Sequence, residues 1–292
     1  MKVFGKIARG LLGGLSWEVQ DKIYFLRKFG RFPRVDAPVT LNDHVMARKW
    51  GDCRTDPIYP LLADKLAVRG FVEEKIGSCW LIPLIAVAYD ARTLAGQLRN
   101  LSSVVVKPNH GAGMVEIVDG DLTAARVTEV VESAEEWLQT DFSQVGREYH
   151  YKMIKPCVLV EKRIGLPGSV PIDYKVHFFN IKSGFKFVLQ VIHERRETKL
   201  TRTFYVNQLT VRETGDYVLS DVERRHIEKA LALSSTLVGD LTYARVDWYI
   251  EDGQLYFGEM TLTPAAGFGE GYGKSLDELM GSMWNEAEGR AC

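Results

Sequence analysis

The sequence predicts an α+β fold with a mainly helical N-terminal region, on two observations. Between residues 16 and 76 apolar positions recur at helical spacing. From residue 172 onward alternating, strand-like runs take over, ending in ARVDWYIEDGQLYFGEMTLTPAAGFG at 244–269. That last stretch reads as two strands joined at Glu251-Asp252-Gly253, where glycine supplies the positive φ of a tight turn.

In chain order, residues 16–29 place Trp17, Val19, Ile23, Tyr24, Leu26 and Phe29 on one helical face. Gly30, Pro33 and Pro38 then punctuate a loop, and Thr40 is expected to cap a helix reaching Trp50, with Asp43 completing a capping box. A helix is expected over 61–76, with Lys65 and Arg69 four apart on one face. Short strands follow near 81–89 and 103–107, with a helical stretch around 93–101 between them. The second strand runs into KPNHGAGM (107–114) and then a third strand at 115–118. Glycines in such a loop let backbone N–H groups approach an anion, and Lys107 adds an ammonium, although most GxG loops are plain hairpins. Residues 122–138 form a helix with a solvated acidic face (Glu129, Glu132, Glu135, Glu136). Strands are expected at 158–164, 172–179, 185–193 and 203–206, helices at 221–238 and 275–284. Arg195, Arg196, Lys199 and Arg202 read as a solvated loop or as a seat for an anionic substrate.

At 292 residues the chain suffices for one large domain or two interlocked ones, and 46% hydrophobic with 26% charged residues is a globular composition. A formal net charge of −1 speaks against a global grip on nucleic acid. Cys53, Cys79, Cys157 and Cys292 show no CxxC pair, as expected of thiols in a reducing, cytoplasmic setting. No apolar run reaches the roughly 18–20 residues of a transmembrane segment. The basic, apolar N-terminus (1–17) lacks a secretory cleavage site; it reads as a helix packed on its own domain or as one making peripheral membrane contact.

The hairpin at 244–269 carries the chemistry. Arg245 and Asp247 leave one face of the first strand, Glu259 and Thr261 one face of the second, so all four converge at its open end. Two hard carboxylates with room for phosphate and water suit Mg2+. Taken alone, the pattern is equally a hairpin edge with surface charges. However, Glu259-Met260-Thr261-Leu262-Thr263-Pro264 resembles the E-x-N-x-x-P of ATP-grasp enzymes, and Arg245-Val246-Asp247 the R-x-D one strand earlier. The wording R-V-D-x-Y and F-G-E-x-T-x-x-P is most similar to the TupA-like (teichuronopeptide biosynthesis) branch, and the likeness runs from about Phe32 to the C-terminus.

The resemblance implies an ATP-grasp fold, two α+β lobes clasping ATP, divided here as a helical region 1–77, a first lobe 78–156 and a second lobe 157–292. It implies that Lys65 and Arg69, within a D-K-x-x-x-R segment, face the phosphates, under a loop of Lys107, His110, Gly111 and Gly113. His110 reads as a residue positioning that loop rather than as a general base. Glu161, Lys162 and Ile164 occupy the adenine hinge, and Asp173 and Lys175 the strand that holds ribose and phosphates. Asp247, Glu259 and Thr261 are the implied Mg2+ ligands, and Arg245 and Lys107 the catalytic cations, with backbone N–H groups at 267–269 as helpers. The implied reaction joins a small-molecule or glycan carboxylate to an amine through an acyl phosphate, for example on a uronic acid of a surface polysaccharide. A kinase acting on a sugar or other hydroxyl, and a non-catalytic binding module, are the alternatives. Two departures stand out: Thr261 replaces the usual Asn, and the region before the nucleotide lobes looks helical rather than βαβ.

Overall fold

The computed structural model describes residues 14–196 and 199–290, without the side chains of 194–200. The expected N-terminal surface helix falls largely on residues 1–13 and so lies outside the described residues, as do the side chains of Arg195, Arg196 and Lys199. Ser16 caps α1 (Trp17–Phe29) by accepting from the Val19 amide. Thr40 and Asp43 form the capping box that opens α2 (Leu41–Trp50).

The helix expected over 61–76 is two helices, α3 (Ile58–Ala63) and α4 (Ala67–Ile76). The break is chemical. The Asp64 carboxylate accepts from the amides of Leu66 (2.8 Å) and Ala67 (3.2 Å), which ends one helix and starts the next. Lys65 sits in that break, so it does not share a continuous helix face with Arg69.

A four-stranded antiparallel sheet follows, in the order β1 (Leu84–Ala88), β4 (Val158–Lys162), β2 (Ser102–Pro108), β3 (Glu116–Asp121). Val104, Val106, Val158 and Val160 pack against α5 (Ala91–Leu98) and α6 (Ala124–Gln139). The alternate residues, Val105, Lys107 and Glu161, therefore face the other way. Because β4 pairs with β1 and β2, it belongs to this sheet, although the sequence division had set it in the second lobe.

The second sheet has the order β10 (Gln254–Thr261), β9 (Tyr243–Glu251), β5 (Asp173–Ile181), β6 (Gly184–Arg196), β7 (Lys199–Val206), β8 (Arg212–Thr214). The basic residues Arg195, Arg196, Lys199 and Arg202, expected in a loop, instead lie on the paired strands β6 and β7. One face of the sheet is mostly apolar and packs against α4 and α7 (Asp221–Val238). The other face changes character along its strands. At one end Phe179, Val188, Phe204 and Tyr243 meet α2 and α8 (Gly273–Ala287). At the other end the same strands present Asp173, Lys175, Arg245 and Asp247. A bulge between Phe257 and Glu259 shifts the alternation, so that Glu259 faces this charged side while Phe257 and Met260 both stay in the core. The β9–β10 turn has Asp252 and Gly253 at φ 52° and 72°, as a tight hairpin requires.

Candidate active site

The charged ends of the two sheets face each other across a cavity of about 410 Å3. Lys65, Lys107, Gly111, Gly113, Glu161, Lys162, Ile164, Asp173, Lys175, Arg245, Asp247 and Glu259 all line it, among Ile82, Val105, Val115, Ile117 and Val170. Three expected site residues do not. Arg69 stands behind the wall, bonded to Glu161 (3.1 Å) and the Ile82 carbonyl (2.8 Å). His110 is buried between Asn109 and the Thr140 carbonyl, and burial lowers its basicity, which fits a residue that positions the loop. Thr261 lines a neighbouring cavity.

Two ionic nodes face one another. On the four-stranded sheet, Glu161 is flanked by Lys107 (2.7 Å) and Arg69. On the six-stranded sheet, Arg245 reaches Asp247 through Nε (2.7 Å) and Nη2 (2.8 Å), Glu259 (3.1 Å) and the Thr261 hydroxyl (2.8 Å). Lys175 contacts Asp247 and stands 3.7 Å from Asp173, and Lys65 stands 3.4 Å from Glu259. The Thr261 hydroxyl also donates to Glu259 (3.2 Å). Burial opposes ionisation of Glu259, but Lys65, Arg245 and Lys175 outweigh it and hold that carboxyl well below its usual range. Asp247 and Glu259 are register partners on adjacent strands, which brings both carboxylates to one spot.

Lys65 is placed by contacts with no local sequence signature. Its amide donates to the Asn109 carbonyl (2.8 Å) and its ammonium to the Gly111 carbonyl (2.6 Å). The Asn109 side chain bonds Asp64, the Lys155 carbonyl and the Cys157 amide, stapling the glycine loop to both neighbours. At Gly111 (φ 88°) a Cβ would come within 2.6 Å of the Phe142 ring. Asp64 and Asn109 are positioning residues to which sequence reasoning assigned no role of their own; the only signal was the place of Asp64 in the D-K-x-x-x-R segment.

Arg245 faces three spaces. Besides the first cavity, it lines one of about 540 Å3 with Lys175, Gln190, Arg202 and Tyr272. It also lines one of about 360 Å3 with Phe142, Glu148, Tyr151, Thr261 and Phe268. The wall between these last two is the loop 264–269, and α2 holds that loop. Asn42 pairs with both the carbonyl and the amide of Gly269 (2.9 and 2.8 Å), and Lys49 donates to the Ala266 carbonyl (3.1 Å). Ala265 and Ala266 both have φ 51°, a left-handed backbone that costs on the order of 1–3 kcal/mol per residue and persists only when fixed from outside. The amides of Phe268 and Gly269, expected to help at the reaction centre, are engaged with Ala265 and Asn42.

Residues 45–285 match the family model described as TupA-like ATPgrasp. The chain belongs to the TupA-like ATP-grasp family. Its ATP-grasp fold is similar to that of the L-amino acid ligase from Bacillus licheniformis (14% identity over 91% of this chain and 60% of that one, TM-score 0.54). It is also similar to phosphoribosylamine–glycine ligase from Thermotoga maritima (12%, 80% and 56%, TM-score 0.51) and to D-alanine–D-alanine ligase from Helicobacter pylori (14%, 80% and 62%, TM-score 0.50). The TupA-like chain thus spans 56–62% of the length of these proteins. No curated protein matches it in sequence. Among the described residues no helix is long and apolar enough to cross a membrane.

Proposed function

We propose that the protein is an ATP-dependent carboxylate–amine ligase that forms an amide through an acyl phosphate. The observation that carries this reading is the meeting of three cavities at Arg245. A nucleotide and two co-substrates need three compartments around one reacting centre, whereas a kinase would leave one without an occupant.

ATP is assigned to the 410 Å3 cavity, where the apolar wall suits a base and Lys65, Lys107, Lys175 and Arg245 suit phosphates. Glu161, Lys162 and Ile164 would meet adenine and Asp173 the ribose, with Gly111 and Gly113 admitting phosphate to the loop. His110 and Arg69 act indirectly, by holding the loop and Glu161. Mg2+ fits the donor set: the carboxylates of Asp247 and Glu259 side by side, with no third His, Cys, Asp or Glu completing a cluster among the described residues. A hard ion that draws its remaining ligands from phosphate and water suits that spot. Asp247 and Glu259 would hold it, and the Thr261 hydroxyl would contribute or orient Glu259. Bound there, Mg2+ supplies charge that offsets the repulsion between ATP and an incoming carboxylate.

Arg245 is placed to draw the substrate carboxylate towards the γ-phosphorus. As a carboxylate oxygen bonds to that phosphorus, the bridging P–O bond breaks and ADP leaves. An amine from the other cavity then attacks the acyl carbon, phosphate departs with the C–O electron pair, and the nitrogen loses a proton. Arg245 and Lys107 stabilise the charge that gathers on phosphoryl oxygens. In line with the TupA-like resemblance, the acid is a uronic acid of a surface polysaccharide built in the cytoplasm, and the amine an amino acid or related compound.

The test is turnover with ATP and Mg2+ over uronic acids and amines, with 18O in the carboxylates and phosphorus NMR of the products. Label in released phosphate, together with ADP, is the expected result. A stable, unlabelled phosphoester would instead make the protein a kinase.

A further inference from the structure

Arg202 is a cation that the scheme above leaves unused. It lies on β7 with Phe204 and Val206, on the same sheet face as Lys175 and Arg245, and its register partner Ile192 pairs in turn with Asp173. Lys175 and Arg245 are both paired with Asp247. The Arg202 side chain has no ion pair or hydrogen bond among the described residues. Its guanidinium instead lies against Gly271, where an added Cβ would come within 3.2 Å of Cζ and Nε. It lines the 540 Å3 cavity, where the one carboxylate among the described lining residues, Glu270, pairs outward with Lys28 (3.0 Å). A half-buried guanidinium held against a cavity wall, with no counter-charge paired to it among the described residues, is stabilised by an arriving anion.

Arg202 is not next to the reaction centre. Arg245 is three strands away and its row on β7 is that of Val206, four residues along. With strands about 4.8 Å apart and about 3.4 Å per residue, the two Cα atoms are on the order of 20 Å apart. Both side chains border the same cavity, so a molecule that touches both is elongated.

We propose that the 540 Å3 cavity binds the acid substrate as an elongated molecule with two anionic groups, the reacting carboxylate at Arg245 and a second carboxylate or phosphate clamped by Arg202. The inference rests on the ligase reading for the identity of the reacting group. A neighbouring acidic sugar and a glycosyl phosphate would present the second charge alike.

The experiment is calorimetric titration of wild type and Arg202→Gln with galacturonate, digalacturonate, galacturonate 1-phosphate and glucose 1-phosphate. Each titration is run with and without Mg2+ and a non-hydrolysable ATP analogue. Wild type should bind at least one of the two-anion probes ~10-fold more tightly than either one-anion probe. Which of the two wins identifies the second group as carboxylate or phosphate. Arg202→Gln should erase that advantage while the analogue's Kd stays within about twofold. An advantage that survives in Arg202→Gln, no advantage in wild type, or no binding of any probe overturns the proposal. Failure of wild type to bind the analogue would sink the nucleotide assignment instead, and the titrations without it would still judge Arg202.

Discussion

Lys49 and Arg245 are both cations sunk among carboxylates, yet their surroundings differ. Lys49 is fully buried, meets Asp21 at 2.8 Å and donates to the carbonyls of Gly146 and Ala266. Every direction around it is protein. Arg245 holds Asp247 and Glu259 but faces three cavities. Burial depresses the basicity of Lys49 despite Asp21, whereas at Arg245 the two carboxylates outweigh burial and raise it. A closed ionic node fixes geometry. An open one can exchange its partners for those of a substrate. The two are linked, because the loop that Lys49 tethers through Ala266 walls the cavities beside Arg245.

The largest effect expected from this contrast is on turnover. Arg245→Ala should lower it by ~10³-fold and Glu259→Gln should abolish it, as loss of transition-state charge stabilisation does. The Arg245 variant should still bind an ATP analogue and lose little stability, since Lys175 and Lys65 remain to neutralise Asp247 and Glu259. Full activity in either variant would mean that the open node is not the reaction centre.

Lys49→Met should do the reverse. Opening a buried pair costs about 3 kcal/mol, and Asp21 keeps only Arg147 (2.5 Å) and Trp50 (3.0 Å). Thermal unfolding should drop by roughly 6–10 °C, while ATP-analogue affinity in the folded protein stays near that of wild type. A stable but inactive variant would blur the contrast.

How much of this was legible in the sequence follows from the range of the contacts involved. The capping box at Thr40, the helix Asp221–Val238 and the β9–β10 hairpin are written in neighbouring residues, and so is the convergence of Arg245, Asp247, Glu259 and Thr261. The break at Asp64 was missed because the apolar spacing of 61–76 continues through it, and only the carboxylate's choice of amides ends the helix. The role of α2 was invisible for another reason. Asn42, Arg48 and Lys49 look like ordinary polar helix residues, yet all three are buried as tethers to distant partners, Gly269 lying 227 residues from Asn42. No periodicity encodes a bond of that range.

Each node also has a buried histidine beside it, which turns the contrast into a pH experiment. Burial first, then Lys49, lowers His150 to about 3; burial first, then Arg245, lowers His177 to about 3. Both are neutral in the folded protein and take up protons near 6.5 when unfolded. Their contribution is therefore complete above pH 6.5 and is lost as pH falls from 6.5 towards 3. Each should steepen the acid loss by about 1.4 kcal/mol per pH unit. Urea unfolding between pH 7 and 4.5 should show a flatter slope in His150→Gln and in His177→Gln, by similar amounts. A slope unchanged in both would place the acid sensitivity elsewhere.

The smallest effect tests what Thr261 does within the open node. Its hydroxyl accepts from Arg245 and donates to Glu259, so both of its obvious bonding directions are in use. If its task is to orient those two groups, Thr261→Val keeps the shape, removes two hydrogen bonds and should cost about 1–2 kcal/mol of activation, roughly tenfold in kcat. The Mg2+ concentration at half-maximal rate should then stay unchanged. If the hydroxyl instead ligates the ion, that midpoint should rise in Thr261→Val, and Thr261→Asn, which restores an amide oxygen, should bring it back. The two roles part on the Mg2+ titration rather than on the rate, because an orienting residue acts through Arg245 and Glu259 whether or not the metal site is full.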